Sequence, residues 1–193
     1  NASTDGTGTT SAELAQPHGV TTDGSYLYVA EYASGNIRKL ELSDNPAVTT
    51  FVSGLGSNLT GLTNDGSYLY ALKSDGTIYK IQLSDGTQST LSTGLGSPQS
   101  ITHDGTSLYV SDANTTKLWQ VSPSDGSVTE LLDTTGSSNG LTTDGTYLYF
   151  TDSNIVKRVP LAGGSVTSLS STYSGRTLDG LTTDGTYLYL GTS

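Results

Sequence analysis

One eleven-residue phrase recurs five times along the chain. GLTTDGTYLYF runs from Gly140 to Phe150 and GLTTDGTYLYL from Gly180 to Leu190, with GVTTDGSYLYV from Gly19, GLTNDGSYLYA from Gly61 and SITHDGTSLYV from Ser100 as looser copies. Their Asp-Gly pairs start at Asp23, Asp65, Asp104, Asp144 and Asp184, which are 42, 39, 40 and 40 residues apart. A period near 40 is the signature of a propeller or a solenoid, built from units that bury a core only against their neighbours.

The grammar inside each repeat chooses between the two. A short apolar segment such as GLTT leads into Asp-Gly, a dipeptide suited to tight turns because both residues tolerate positive φ. TYLYF then alternates, placing Tyr147 and Tyr149 on one face and Leu148 and Phe150 on the other, as a strand does. A polar loop, TDSN, precedes a third run, IVKRVPL from Ile155, with IYKIQL from Ile78 and LWQVSP from Leu118 as its parallels. A second turn, AGG or SDG, leads to a fourth run: SVTSLS, SVTELL or TQSTLS. Four antiparallel strands in about 40 residues make a propeller blade, whereas leucine-rich units are shorter and lack two hairpin turns. The expected fold is therefore an all-β, five-bladed β-propeller in one domain over residues 1–193, with blade repeats starting near 19, 61, 100, 140 and 180.

Composition narrows the function. Hydrophobic residues make up 33% of the chain, but its Tyr, Val, Ile and Thr fall at fixed places, so the polarity belongs to short strands and turns rather than to disorder. A net charge of −10, with eight Lys and Arg, argues against nucleic acid and anionic lipid, which require clustered basic residues. No apolar run is long enough to span a bilayer, so membrane insertion is not expected. The absence of Cys removes disulfides and thiol chemistry, and the absence of Met suggests a processed chain or a segment of a longer one. This Ser/Thr/Gly-rich, Lys-poor surface suits an extracellular protein, secreted or on the cell surface.

The fourth repeat, GLTTDGTYLYFTDSNIVKRVPLAGGSVTSL, resembles bacterial propeller repeats of the NHL and YWTD type. LYFTD stands where the YWTD tetrapeptide would, and the eleven-residue phrase resembles the opening of an NHL repeat. The resemblance spans essentially the whole chain and differs in repeat number, because those families commonly have six blades. It implies a scaffold rather than an activity. It also implies that the residue before each first strand lies near the entrance of a central channel. Here that position holds His18, Thr60, Gln99, Asn139 and Asp179, five different polar residues in one constant frame, which makes them the candidate ligand-binding rim.

The fifth repeat supplies only two strands, and residues 1–18 align with a turn and an outer strand. The last blade is therefore expected to be shared between the two ends of the chain, with residues 1–18 giving its outer strand and most of its third strand absent. Nothing in the alignment matches Asn154–Arg158. Asn1, Ala2, Ser3, Gly191, Thr192 and Ser193 flank this gap and form a candidate assembly edge, since an unpaired strand edge is a template for another chain.

No catalytic constellation emerges. The Asp-Gly aspartates recur in every repeat, as turn residues would, whereas catalysis needs one distinct set. Glu31, Asp112 and Asp152 occupy the YWTD-type acidic position, with Lys73 and Thr192 as exceptions, and are expected to bond loop amides and staple neighbouring blades. A calcium loop would gather more carboxylates than TDSN offers, so no metal or cofactor is expected. Paired carboxylates of a glycosidase are missing, because Asp179 stands alone at the rim while Glu13 and Glu130 fall on outer strands. His103 replaces the Thr of TTDG as a surface residue beside its turn. Trp119, in the place of Tyr79 and Val156, is expected to pack between blades. Sequons stand at Asn1, Asn58 and Asn114. The chain thus reads as a non-enzymatic structural or self-assembly unit whose partners are copies of itself or an extension of the same chain. The alternative is a lectin- or adhesin-like module binding a glycan or small ligand at the rim.

Overall fold

The structure, a computed structural model, describes residues 4–7, 12–44, 46–170 and 176–192. It divides into two compact units, Asn1–Gly94 and Leu95–Ser193. Within the described residues every regular element is a β-strand.

The first unit holds two sheets. Strands β1 (Gly6–Thr7), β2 (Pro17–Thr22), β3 (Tyr26–Glu31), β4 (Ile37–Glu41) and β5 (Ala47–Val52) form one, in the order β1-β5-β4-β3-β2. The other is a four-strand meander of β6 (Leu59–Asn64), β7 (Tyr68–Lys73), β8 (Ile78–Gln82) and β9 (Gln88–Ser92). Leu59, Leu62, Leu69, Ala71 and Ile81 from the meander join Tyr28, Ala30, Ile37, Val52 and Leu55 in one buried cluster. The inner strands β2 and β6 approach so closely that a Cβ on Gly19 would lie 2.6 Å from the Leu62 nitrogen. The phrase opens with Gly because backbone meets backbone there.

The second unit repeats the plan. One meander comprises β10 (Pro98–His103), β11 (Leu108–Asp112), β12 (Lys117–Val121) and β13 (Val128–Asp133). A second comprises β14 (Leu141–Thr143), β15 (Tyr147–Asp152), β16 (Ile155–Pro160) and the two-residue β17 (Thr167–Ser168). They share a core of Tyr109, Leu118, Leu141, Leu148, Phe150 and Val159. Strands β18 (Leu178–Thr183) and β19 (Leu188–Thr192) then pair only with each other among the described residues. Gly140 plays the part of Gly19, since a Cβ added to it would fall 2.9 Å from Leu181 Cβ.

Two expectations need correction. Among the described residues of the N-terminal segment, Gly6 and Thr7 pair with Val48 and Ala47, adding a fifth strand to the first sheet where an outer strand of the last sheet was expected. The cause is Arg38, fully buried in β4. Its Nη2 donates to the Thr4 carbonyl at 2.9 Å and to Asp5 Oδ1 at 2.6 Å, and its Nη1 to the Glu13 carbonyl at 3.3 Å and Glu31 Oε1 at 3.4 Å. A buried guanidinium demands such partners, and the N-terminal segment provides most of them. Trp119 is the second correction: it faces Val110, so its counterparts are Tyr79, opposite Ala71, and Lys157, opposite Phe150, rather than Val156.

Candidate functional site

The five Asp-Gly turns share one hydrogen-bond pattern. Asp23 Oδ1 accepts the N–H groups of Ser25 and Tyr26 at 2.8 and 2.7 Å, while its Oδ2 accepts the Tyr28 hydroxyl at 2.9 Å. The same three bonds form at Asp65 with Tyr70, Asp104 with Tyr109, Asp144 with Tyr149 and Asp184 with Tyr189. The following glycines have φ of 90°, 87°, 101°, 83° and 88°, the left-handed region that side chains avoid. The residue before each Asp completes the turn: Thr22, Thr143 and Thr183 accept the glycine N–H through Oγ1, Asn64 through Oδ1 and His103 through Nδ1. His103 therefore does the work of a threonine.

These bonds reset the acidity of both partners. At Asp23, Asp104 and Asp144 burial alone would raise the pKa, but amide and tyrosine hydroxyl donors outweigh it and hold the carboxyl below its ordinary 3.8. Burial and the adjacent carboxylate push Tyr109 up to about 12, and Tyr28 and Tyr70 rise for the same reasons.

The YWTD-type acids act as staples. Asp112 Oδ2 accepts the Gly96 amide at 2.7 Å, and its Oδ1 accepts those of Ser97 and Asn114 at 3.0 Å, tying the segment that enters β10 to the end of β11. Glu31 accepts the Ala15 amide and Asp152 the Thr135 amide in the same way. Lys73 instead reaches Asp75, and Thr192 accepts from Arg176.

Four of the five expected rim residues lie where the first strand of a sheet slips register. His18 falls between Pro17 and Val20, Thr60 between Leu59 and Gly61, Gln99 between Pro98 and Ser100, and Asp179 between Leu178 and Gly180. A bulge re-aims its extra side chain, which explains why this position varies freely within a constant frame. In the first unit, His18 stacks on Tyr32 with ring centroids 4.7 Å apart, and Thr60 Oγ1 donates to the Leu72 carbonyl. In the second, Gln99 Nε2 donates to the Ser97 carbonyl, the Asn139 amide donates to Thr151 Oγ1, and Asp179 is exposed. Of the expected assembly edge, Gly191 and Thr192 belong to β19 and are exposed, while Asn1, Ala2, Ser3 and Ser193 lie outside the described residues.

Among the described residues the last sheet has two strands, where the other sheets have four or five. Tyr28, Tyr70 and Tyr109 are 1%, 0% and 3% exposed, but their counterpart Tyr189 is 52% exposed and Tyr187 beside it 66%. Tyr149, which has a third strand beside it, is half-buried, and among the described residues no third strand pairs with β19.

The sequence matches no protein family and no curated protein. Among solved structures, a chain from the crystal structure of the nidogen/laminin complex superposes with a TM-score of 0.81 at 20% identity, over 90% of this chain and 71% of that one. Together with the repeated meanders, this establishes a β-propeller scaffold. Because 989 solved chains match, the scaffold by itself specifies no activity.

Proposed function

We propose that the chain is a non-enzymatic, extracellular five-bladed propeller that associates with protein through the open edge of its last sheet. Four blades are complete and the fifth consists of β18 and β19. Copies of the same chain, or an extension of it, are the partners, giving an oligomer or an extracellular fibre. One observation carries this reading: among the described residues β19 has an unpaired edge, beside two exposed tyrosines whose counterparts are buried or half-buried. Unpaired strand edges bind by strand addition, in which main-chain hydrogen bonds supply affinity. The turn aspartates support the non-enzymatic part, being committed to amides and tyrosine hydroxyls. The nidogen/laminin structure is itself a protein complex, which is consistent with a protein partner here.

Light scattering and negative-stain microscopy across a concentration series test the proposal. Association is expected to grow with concentration and with salt, which screens repulsion between copies carrying −10 each. Monomers under all conditions would refute association between copies. The rim reading retains one supporting observation, the His18–Tyr32 stack. Glycan-array binding that His18→Ala abolishes would favour it, and a blank array would remove it.

A further inference from the structure

We infer that Ser138 and Asp152 hold one internal water molecule between them, which fastens the approach to β14 onto the end of β15. The site is independent of the edge of β19.

The internal copies locate it. The acid at the end of each second strand, or the residue that replaces it, faces one residue of the chain leading into the sheet. Pro17 faces Glu31, Leu59 faces Lys73, Pro98 faces Asp112 and Leu178 faces Thr192. The counterpart in the fourth sheet is Ser138. The Ser153 amide donates to the Ser137 carbonyl at 2.9 Å, and the amides of Asn139 and Gly140 donate to Thr151 Oγ1 at 3.0 Å. These bonds bracket Ser138 opposite Asp152, and facing residues of an antiparallel pair project to the same side. Ser138 is thus a polar residue where the other copies have proline or leucine.

The fourth acid is also the exception in how its oxygens are used. Asp112 engages both: Oδ2 accepts the Gly96 amide, and Oδ1 accepts those of Ser97 and Asn114. Glu31 does the same, with the Ala15 amide on Oε1 and the Ser34 hydroxyl on Oε2. Asp152 gathers its partners on Oδ2, which accepts the Thr135 amide at 3.1 Å, the Thr135 hydroxyl at 2.8 Å and Lys157 Nζ at 2.6 Å. Its Oδ1 has no partner among the described residues, although Asp152 is 2% exposed. The turn explains the difference. Residues 113–116 link β11 to β12 and bring the Asn114 amide to Asp112, whereas only Ser153 and Asn154 link β15 to β16. Ser138 Oγ is fully buried and equally without a partner. The orphan oxygen and the orphan hydroxyl occur together, in the sheet where proline or leucine gives way to serine.

Burying either group without a hydrogen bond is costly, so the pair calls for a small molecule that donates to Asp152 Oδ1 and bonds Ser138 Oγ. Water meets both demands, since a buried water bridges otherwise unsatisfied groups through about three hydrogen bonds. A metal ion is disfavoured, because the Lys157 ammonium already neutralises this carboxylate at 2.6 Å. The bridge does in the fourth sheet what the Gly96 and Ser97 amides do directly in the third. It ties the segment that carries Asn139 to the second strand.

A crystal structure of the full chain at a resolution that shows ordered water, with melting of the natural chain and Ser138→Ala, tests the inference. One water within hydrogen-bond distance of both Ser138 Oγ and Asp152 Oδ1 is expected. Removing the hydroxyl then deprives that water of a partner. Ser138→Ala should melt about 2–4 °C below the natural chain, the shift expected for one hydrogen bond at this chain length. An orphan hydroxyl without water has the opposite sign, because its removal relieves a cost. An unchanged or raised melting temperature therefore overturns the inference. A direct bond from Ser138 to Asp152 in the crystal, with no water between them, overturns it as well. Melting in sodium, potassium and choline chloride at equal ionic strength separates water from a metal ion. Equal melting temperatures are expected, and a saturable rise in sodium or potassium overturns water in favour of the ion. If Ser138→Ala does not fold, the crystal structure and the salt series on the natural chain decide.

Discussion

The residue that organises each repeat is the turn aspartate. One carboxylate closes two amides and one tyrosine hydroxyl, so a single side chain sets both the turn and the aromatic ring that follows. The pH dependence follows from this. Asp23, Asp104, Asp112, Asp144 and Asp152 have lowered pKa values in the folded chain, so their stabilisation is complete above the unfolded value of about 4 and is lost as pH falls through the depressed values. The tyrosines act in the opposite sense. A raised folded pKa means that their stabilisation is present below the unfolded value of about 10 and is lost as pH rises further. For Tyr109 the loss runs from about 10 to about 12. Melting temperatures followed by circular dichroism should form a plateau that falls at both ends, the alkaline fall coinciding with tyrosinate absorbance. A melting temperature insensitive to acid would show that the carboxylates contribute little.

At the scale of elements, close approach of inner strands distinguishes a packed blade from an unfinished one. A Cβ on Gly19 would meet backbone atoms of Gly61 and Leu62, which cannot step aside, whereas one on Gly180 would meet nothing within 4 Å. Gly19→Val should therefore destabilise the chain by about 1–3 kcal/mol, as overpacking does, while Gly180→Val should leave thermal unfolding nearly unchanged. Equal effects at both sites would contradict this assignment. Periodicity makes most elements legible in the sequence, because a two-residue alternation bounded by Asp-Gly has few other solutions. The site of the N-terminal strand is not legible there. Its pairing depends on the buried Arg38, which in sequence is one basic residue among the polar residues of IRKL. Ser138 stands in the sequence as the polar exception to Pro17, Leu59, Pro98 and Leu178, but only the strand register shows that it faces Asp152. The bulges that hold four of the rim residues likewise depend on pairing rather than on residue type.

For the molecule as a whole, a widely shared scaffold is joined to one particular edge. Repeated turns, staples and buried tyrosines explain how a chain with few large apolar residues maintains its sheets, and the turns and staples assign eight of its 18 acidic side chains to structural work. The proposed partner-binding role then rests on β19. Hydrogen exchange of the amides in Leu188–Thr192 tests it most directly, comparing dilute protein with protein at assembling concentration. In an antiparallel pair alternate amides point away from the existing partner. If β19 is the docking edge, these amides exchange quickly in dilute protein and become protected on association, while the amides of β3, β7, β11 and β15 keep the same protection throughout. Association that leaves Leu188–Thr192 as exposed as before would contradict it.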